Sequence, residues 1–148
     1  MWRVVFWVGV FSLITGCTFN RDWKRAAAYP RGTNDITGRW TGQWRSEANG
    51  HHGTLRCIIT PNSPNAYMGR FRARFWKIFA AGYTVPLNVT NIDGKFTLSG
   101  SADLGFLGGG IYTYKGSADH ANFQSSYRSQ RDHGQFIMRR PEENPGRP

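Results

Sequence analysis

Between residues 37 and 140 side-chain polarity alternates residue by residue, and that period of two is what most restricts the fold. Gly38-Arg39-Trp40-Thr41-Gly42-Gln43-Trp44-Arg45 puts Trp40, Gly42 and Trp44 on one side and Arg39, Thr41, Gln43 and Arg45 on the other. Successive side chains of an extended strand point to opposite faces, so this is the signature of a half-buried strand, not of a helix. Tyr67, Gly69, Phe71, Ala73 and Phe75 oppose Met68, Arg70, Arg72 and Arg74 in the same way. Tyr83, Val85, Leu87 and Val89 oppose Thr84, Pro86, Asn88 and Thr90; Phe96 with Leu98, Tyr112 with Tyr114, Phe123 with Tyr127, and Phe136 with Met138 continue the apolar face.

The punctuation is that of hairpins. Asn49-Gly50, Asp93-Gly94 and Asp132-His133-Gly134 favour the positive φ angles of tight turns. Pro61-Asn62-Ser63-Pro64-Asn65 reads as a longer loop, and Leu104 to Gly110 as a glycine-rich one. The pattern predicts strands at 37–46, 54–60, 66–76, 82–90, 95–101, 110–116, 122–129 and 134–140, and no long helix. Eight short strands joined in succession form an antiparallel meander. Such a sheet must remove its edges, either by closing into an up-and-down barrel or by splitting into a two-layer sandwich. The expectation is an all-β barrel, with the sandwich as the alternative.

The two ends of the chain differ from this core. Arg3 precedes Val4 to Thr15, 12 residues without a charge, a stretch of secretory length and too short to span a bilayer. Directly behind it stands Ile14-Thr15-Gly16-Cys17, which resembles the lipobox of bacterial lipoproteins: an aliphatic residue three before the cysteine, small residues, then the cysteine. The resemblance implies cleavage before Cys17, a diacylglycerol on its sulfur and acylation of the new amine. It places the protein in the cell envelope, held to a membrane by lipid. Thr18 stands where the family's inner-membrane retention signal has aspartate, which favours the outer membrane. The division expected is a signal peptide at 1–16, a lipidated N-terminus and tether at 17–36 with a short helical turn near Trp23–Ala28, a barrel domain at 37–140 and a loose Pro-rich tail at 141–148.

Removing residues 1–16 from the 148 leaves 132, enough for one domain with its own core. Arg3 is the only charge removed, so the formal +10 becomes +9. A basic surface outside the cytoplasm suits anionic lipid or another acidic envelope component, and nucleic acid is not expected as a partner. With Cys17 acylated, Cys57 has no partner for a disulfide and reads as a small buried hydrophobe.

Gly38-Arg39-Trp40 resembles the Gly-x-Trp that opens the first strand of lipocalins and their calycin relatives. In that group an arginine late in the last strand packs over the tryptophan and closes the base of the barrel. Arg140 shares the parity of Phe136 and Met138, so the resemblance pairs it with Trp40. It implies a calycin-like barrel and, by analogy, ligand binding.

Candidate chemistry is sparse. Arg70, Arg72 and Arg74 form a stripe on an outward strand face, spaced about 7 Å apart, and are the candidates for contact with an anionic surface. His51 and His52, adjacent in an extended chain, point apart and do not suit one metal; no metal or cofactor is expected. Gly105 to Gly110 lacks the strand and helix around a dinucleotide fingerprint and reads as a hairpin loop or a lid at the barrel mouth. No pair of inward carboxylates and no nucleophile elbow argues for an enzyme. The function expected is non-catalytic binding of a small apolar or amphipathic ligand, with Phe71, Phe75, Tyr112, Tyr114 and Tyr127 as its inward contacts. The alternative is a filled barrel acting through its basic outer face. An interior volume of about 300 Å³ or more favours the first.

Overall fold

The computed structural model describes residues 11–29, 34–75 and 79–142. Most of the expected signal peptide, residues 30–33 of the tether, Trp76 and most of the tail lie outside the described residues.

The meander closes. β1 (Gly38–Ser46), β2 (His52–Ser63), β3 (Ala66–Phe75), β4 (Phe79–Ile92), β5 (Lys95–Asp103), β6 (Ile111–Ala118), β7 (Asn122–Arg128) and β8 (His133–Arg139) pair in chain order, and β8 pairs back to β1. All eight pairings are antiparallel. Closure leaves no free edge along the sheet. The strands run longer than the alternation alone suggests at β2 and β4. Pro61 stays in β2, where a register shift between Pro61 and Ser63 absorbs it, so the expected long loop shrinks to a turn at Pro64-Asn65. Asp93 (φ 52°) and Gly94 (φ 81°) both take positive φ in the β4–β5 turn, which makes it tight.

Alternation sets what lies inside. Trp40, Leu55, Cys57, Ile59, Phe71, Val85, Leu87, Val89, Phe96, Leu98, Phe123, Phe136 and Met138 are buried in one core. Their outward neighbours are threonine, serine, asparagine, glutamine, lysine and arginine for the most part. That arrangement is the inverse of a membrane-spanning barrel, whose outer band is apolar and whose lumen is polar. Gly53 shows why some inward positions carry no side chain. A Cβ there would stand 1.8 Å from the Arg74 carbonyl oxygen and 2.7 Å from the Trp44 indole nitrogen, so the strands can coil together only over glycine.

One end of the barrel is sealed. Ile36 is completely buried beneath it, and the Trp40 indole N–H donates to the Ile36 carbonyl at 2.9 Å. Phe123 packs against Trp40 with ring centroids 5.6 Å apart. The Arg140 guanidinium carbon lies 4.0 Å from the Trp40 ring centroid, the pairing that parity and chain position suggested. Its two terminal nitrogens donate to the carbonyls of Thr37 (2.6 Å) and Asp35 (2.7 Å), with a longer bond to Arg39 (3.4 Å). One side chain thus ties the end of the last strand to the start of the first.

The N-terminal segment goes beyond the short helical turn expected near Trp23–Ala28. α1 (Phe11–Arg25) and a 3-10 turn (Ala26–Ala28) replace most of the expected tether, and no long helix had been expected. Phe19 and Ala26 are buried against Ile58, with Trp23 packed beside them. Ile58 points outward from β2 between Arg39 on β1 and Arg70 on β3. An outward-facing isoleucine in a basic wall is therefore covered by an aromatic helix face. Guanidinium groups complete the contact: Arg56, Arg70 and Arg72 lie 5.6–5.9 Å from the Phe19 ring centroid, and Arg39 and Arg56 lie 5.3–5.4 Å from that of Trp23. Each such contact contributes about 0.5–1 kcal/mol at a partly exposed site. Arg70 Nη1 also donates to Asp22 Oδ2 at 2.7 Å. The expected cleavage point before Cys17 falls inside α1, so a mature chain would keep residues 17–25 of it, the part carrying Phe19, Asp22 and Trp23.

Candidate ligand pocket at the open end of the barrel

The ends of β1, β3, β5 and β7 gather opposite Arg140, and there the interior opens to solvent. A cavity of about 670 Å³ opens between them. Its walls come from inward positions near the ends of the strands: Trp44 of β1, Phe75 of β3, Tyr83 of β4, Tyr112 and Tyr114 of β6, Tyr127 of β7 and Phe136 of β8. Leu104 and Leu107 close one side from the β5–β6 connection, where α2 (Gly105–Gly108) forms a single helical turn within the expected glycine-rich loop.

Four of the five residues expected to contact a ligand, Phe75, Tyr112, Tyr114 and Tyr127, line this cavity. Phe71 does not. It sits one layer deeper, stacked on Tyr83 at 5.3 Å and 12° and lying 5.7 Å from Phe136, so it supports the lining from below. Trp44, Tyr83 and Phe136 belong to the lining and were missing from the expected set. Their inward parity was legible. What would have singled them out is their position near hairpins that share one end of an up-and-down barrel.

The aromatic rings form a continuous wall. Tyr112, Tyr114, Tyr127 and Phe136 contact one another at centroid distances of 5.0–6.4 Å. Trp44 meets Phe75 edge-on at 5.2 Å, and its indole N–H reaches across Gly53 to the Arg74 carbonyl at 3.1 Å. Such stacked and tilted pairs hold the rings in place.

Polar groups are few and placed at one side. Ser46 Oγ donates to Asp132 Oδ1 at 2.5 Å, and the Tyr127 hydroxyl donates to Asp132 Oδ2 at 3.3 Å. Burial pushes the hydroxyls of Tyr83, Tyr114 and Tyr127 to higher pKa; the neighbouring Asp132 carboxylate adds to the shift at Tyr127. These phenols therefore stay protonated; Tyr127 spends its hydrogen on Asp132 and Tyr83 bonds to Tyr114, which leaves the Tyr114 hydroxyl as a donor toward the cavity. Ser46 spends its hydrogen on Asp132. Burial likewise pushes the Cys57 thiol far up, leaving it a packed apolar group between Trp40 and Phe71 in the sheet register. The arrangement can hold an apolar or aromatic body against rings, with the Tyr114 hydroxyl as a donor for one polar end.

The arginine stripe lies elsewhere, on the outer wall of β3. Arg70 and Arg72 were expected to face solvent. Instead they are partly covered by α1, because their guanidinium faces pack on Phe19 and Arg70 pairs with Asp22. Arg74 remains exposed at the open end. Among the described residues no group of three His, Cys, Asp or Glu side chains is placed to hold a metal. No family model, curated protein or solved structure matches this chain.

Proposed function

We propose that this chain is a lipid-anchored cell-envelope protein, acylated at Cys17, whose lipocalin-like barrel binds a small apolar or amphipathic ligand without transforming it. The observation that carries the binding half is the 670 Å³ aromatic cavity at the open end. It exceeds the roughly 300 Å³ at which small-molecule sites begin, and its lining is apolar with a few polar groups. The Trp40–Arg140 closure and the chain-order barrel support the lipocalin-like reading, and the lipobox at Ile14 to Cys17 supports the anchor. A fold alone does not dictate ligand binding, so the cavity carries more weight than the topology.

Native mass spectrometry of the protein released gently from detergent tests the binding claim. The expected result is a co-purified small molecule that is lost when Tyr112 and Tyr127 are both replaced by alanine. Parent and double variant of identical apparent occupancy would count against the cavity as its site. The alternative, contact with an anionic envelope surface through Arg70, Arg72 and Arg74, now leans on Arg74, since Asp22 already neutralises Arg70.

A further inference from the structure

Four large apolar side chains face solvent around the mouth of the cavity: Phe79 is 57% exposed, Phe106 79%, Leu107 99% and Ile111 62%. Phe79 begins β4, Phe106 and Leu107 lie in α2, and Ile111 begins β6, so all four belong to the open end. The other large apolar residues this exposed, among the described residues, are scattered: Tyr29 after the 3-10 turn, Ile92 at the closed end and Ile137 on the outer wall of β8. Single exposed apolar residues need no explanation, but a cluster at the mouth of an apolar cavity does. Leu107 belongs to both, since it also lines the cavity. The apolar lining thus runs outward onto the rim.

A basic collar surrounds that rim. Arg45, Arg74, Arg128 and Arg131 are exposed at the same end, against the exposed carboxylates of Glu47 and Asp103. Glu47 accepts from Gln135, Asp103 from the backbone of Gly105, and Asp132, half-buried at the same mouth, from Ser46 and Tyr127; the four arginines still outnumber these three carboxylates. Arg131 reaches from the β7–β8 turn to the Phe106 ring, 5.1 Å from its centroid, so cation and apolar tip are held together. An apolar tip inside a cationic collar matches the order of a bilayer interface, acyl chains below and anionic phosphates above. The N-terminal segment is compatible with that orientation. Phe19 contacts Arg72, which lies three residues from the rim residue Phe75, about 10 Å along β3.

Building on the ligand-binding reading, we propose that the open end is a membrane-docking surface. Phe106 and Leu107, flanked by Phe79 and Ile111, enter the interfacial layer of an anionic bilayer. The arginine collar rests on its phosphates, and the ligand passes between bilayer and cavity without crossing water.

The test uses the full chain on vesicles of mixed phosphatidylcholine and phosphatidylglycerol. A nitroxide label is placed through Leu107→Cys, with Ile92→Cys as the control at the closed end; labelling of the parent chain gives the baseline. The Leu107 label should gain collisions with oxygen and lose those with a water-soluble nickel chelate, while the Ile92 label stays open to the chelate. Equal chelate access at the two positions overturns the proposal. So does concentration-dependent coupling between Leu107 labels in the absence of vesicles, which would make the rim a contact between copies of the chain. A second measurement follows an anthroyloxy-labelled stearic acid. Replacing Phe106 and Ile111, which lie on the rim outside the cavity lining, together by serine should slow its transfer from vesicles on the order of tenfold or more, through lost apolar burial, and leave its binding from solution nearly unchanged. If the fatty acid binds from neither source, the ligand-binding reading for this class fails, and the label depths still decide the docking.

Discussion

Replacing Arg140 by alanine removes two short hydrogen bonds to the carbonyls of Asp35 and Thr37 and uncovers the face of Trp40. The carbonyls were satisfied by a charged donor, so the loss should cost about 2–4 kcal/mol of stability, measured by urea unfolding. Arg140→Lys should recover only part, because an ammonium lacks the planar fork that spans two carbonyls and stacks on an indole. An alanine variant as stable as the parent would mean that Ile36 and Phe123 alone seal the base. At Cys17 the expectation is chemical: Cys17→Ser should abolish labelling by a radioactive fatty acid in the cell, and unchanged labelling would sink the lipid anchor. The Arg140 contact was legible in the sequence, because it follows from the Gly-x-Trp resemblance together with the parity of the last strand.

α1 belongs to the next scale, and its docking should be separable from the barrel. Phe19 is buried only against the outer wall, so Phe19→Ser should release the helix while the far-ultraviolet strand signal stays. Loss of one buried aromatic side chain corresponds to roughly tenfold to hundredfold faster trypsin cleavage after Arg21, Lys24 and Arg25. The Asp22–Arg70 pair adds a pH dependence. The hydrogen bond from Arg70 holds the Asp22 carboxyl below its usual value. Its contribution to docking is therefore complete above the ordinary carboxylate range and is lost as pH falls through the depressed value. Protection of residues 18–25 against hydrogen exchange, taken relative to the intrinsic rate at each pH, should fall on acidification, and Arg70→Gln should remove most of that acid response. The helix was partly visible beforehand: Phe19, Trp23 and Ala26 fall at i, i+4 and i+7, one helical face. What hid it was a short amphipathic pattern next to Pro30 and Gly32, and an outer wall that read as solvated. Ile58 is the clue on the other side of the contact, since it breaks the outward polar series between Arg56 and Thr60.

At the scale of the whole barrel, the buried phenols predict an alkaline limit to stability. The unfolded chain ionises its tyrosines near 10, whereas Tyr83, Tyr114 and Tyr127 in the fold have raised pKa values because burial disfavours the phenolate. Stability is complete below the unfolded value and falls as pH rises through it, since only the unfolded chain gives up these protons readily. Tyrosinate absorbance should therefore show a late, cooperative step coincident with loss of the strand signal; a simple titration centred on the ordinary value would contradict the buried wall. Architecture at this scale was largely written in the chain. A period of two over eight segments, with turn dipeptides between them, leaves few ways to bury one face and remove both edges, and closure in chain order is the simplest. The same alternation put Phe71, Phe75, Tyr112, Tyr114 and Tyr127 inside. It could not separate Phe71, which packs in the core, from its four companions at the cavity, because depth along the barrel axis depends on strand register and on which hairpins share an end. Nor could it show that α1 covers part of the arginine wall, or that Phe79, Phe106, Leu107 and Ile111 meet around one mouth. Parity is a local property, fixed by the geometry of consecutive residues; filling, covering and clustering are set by contacts between residues far apart in the chain, and only the closed barrel brings those together.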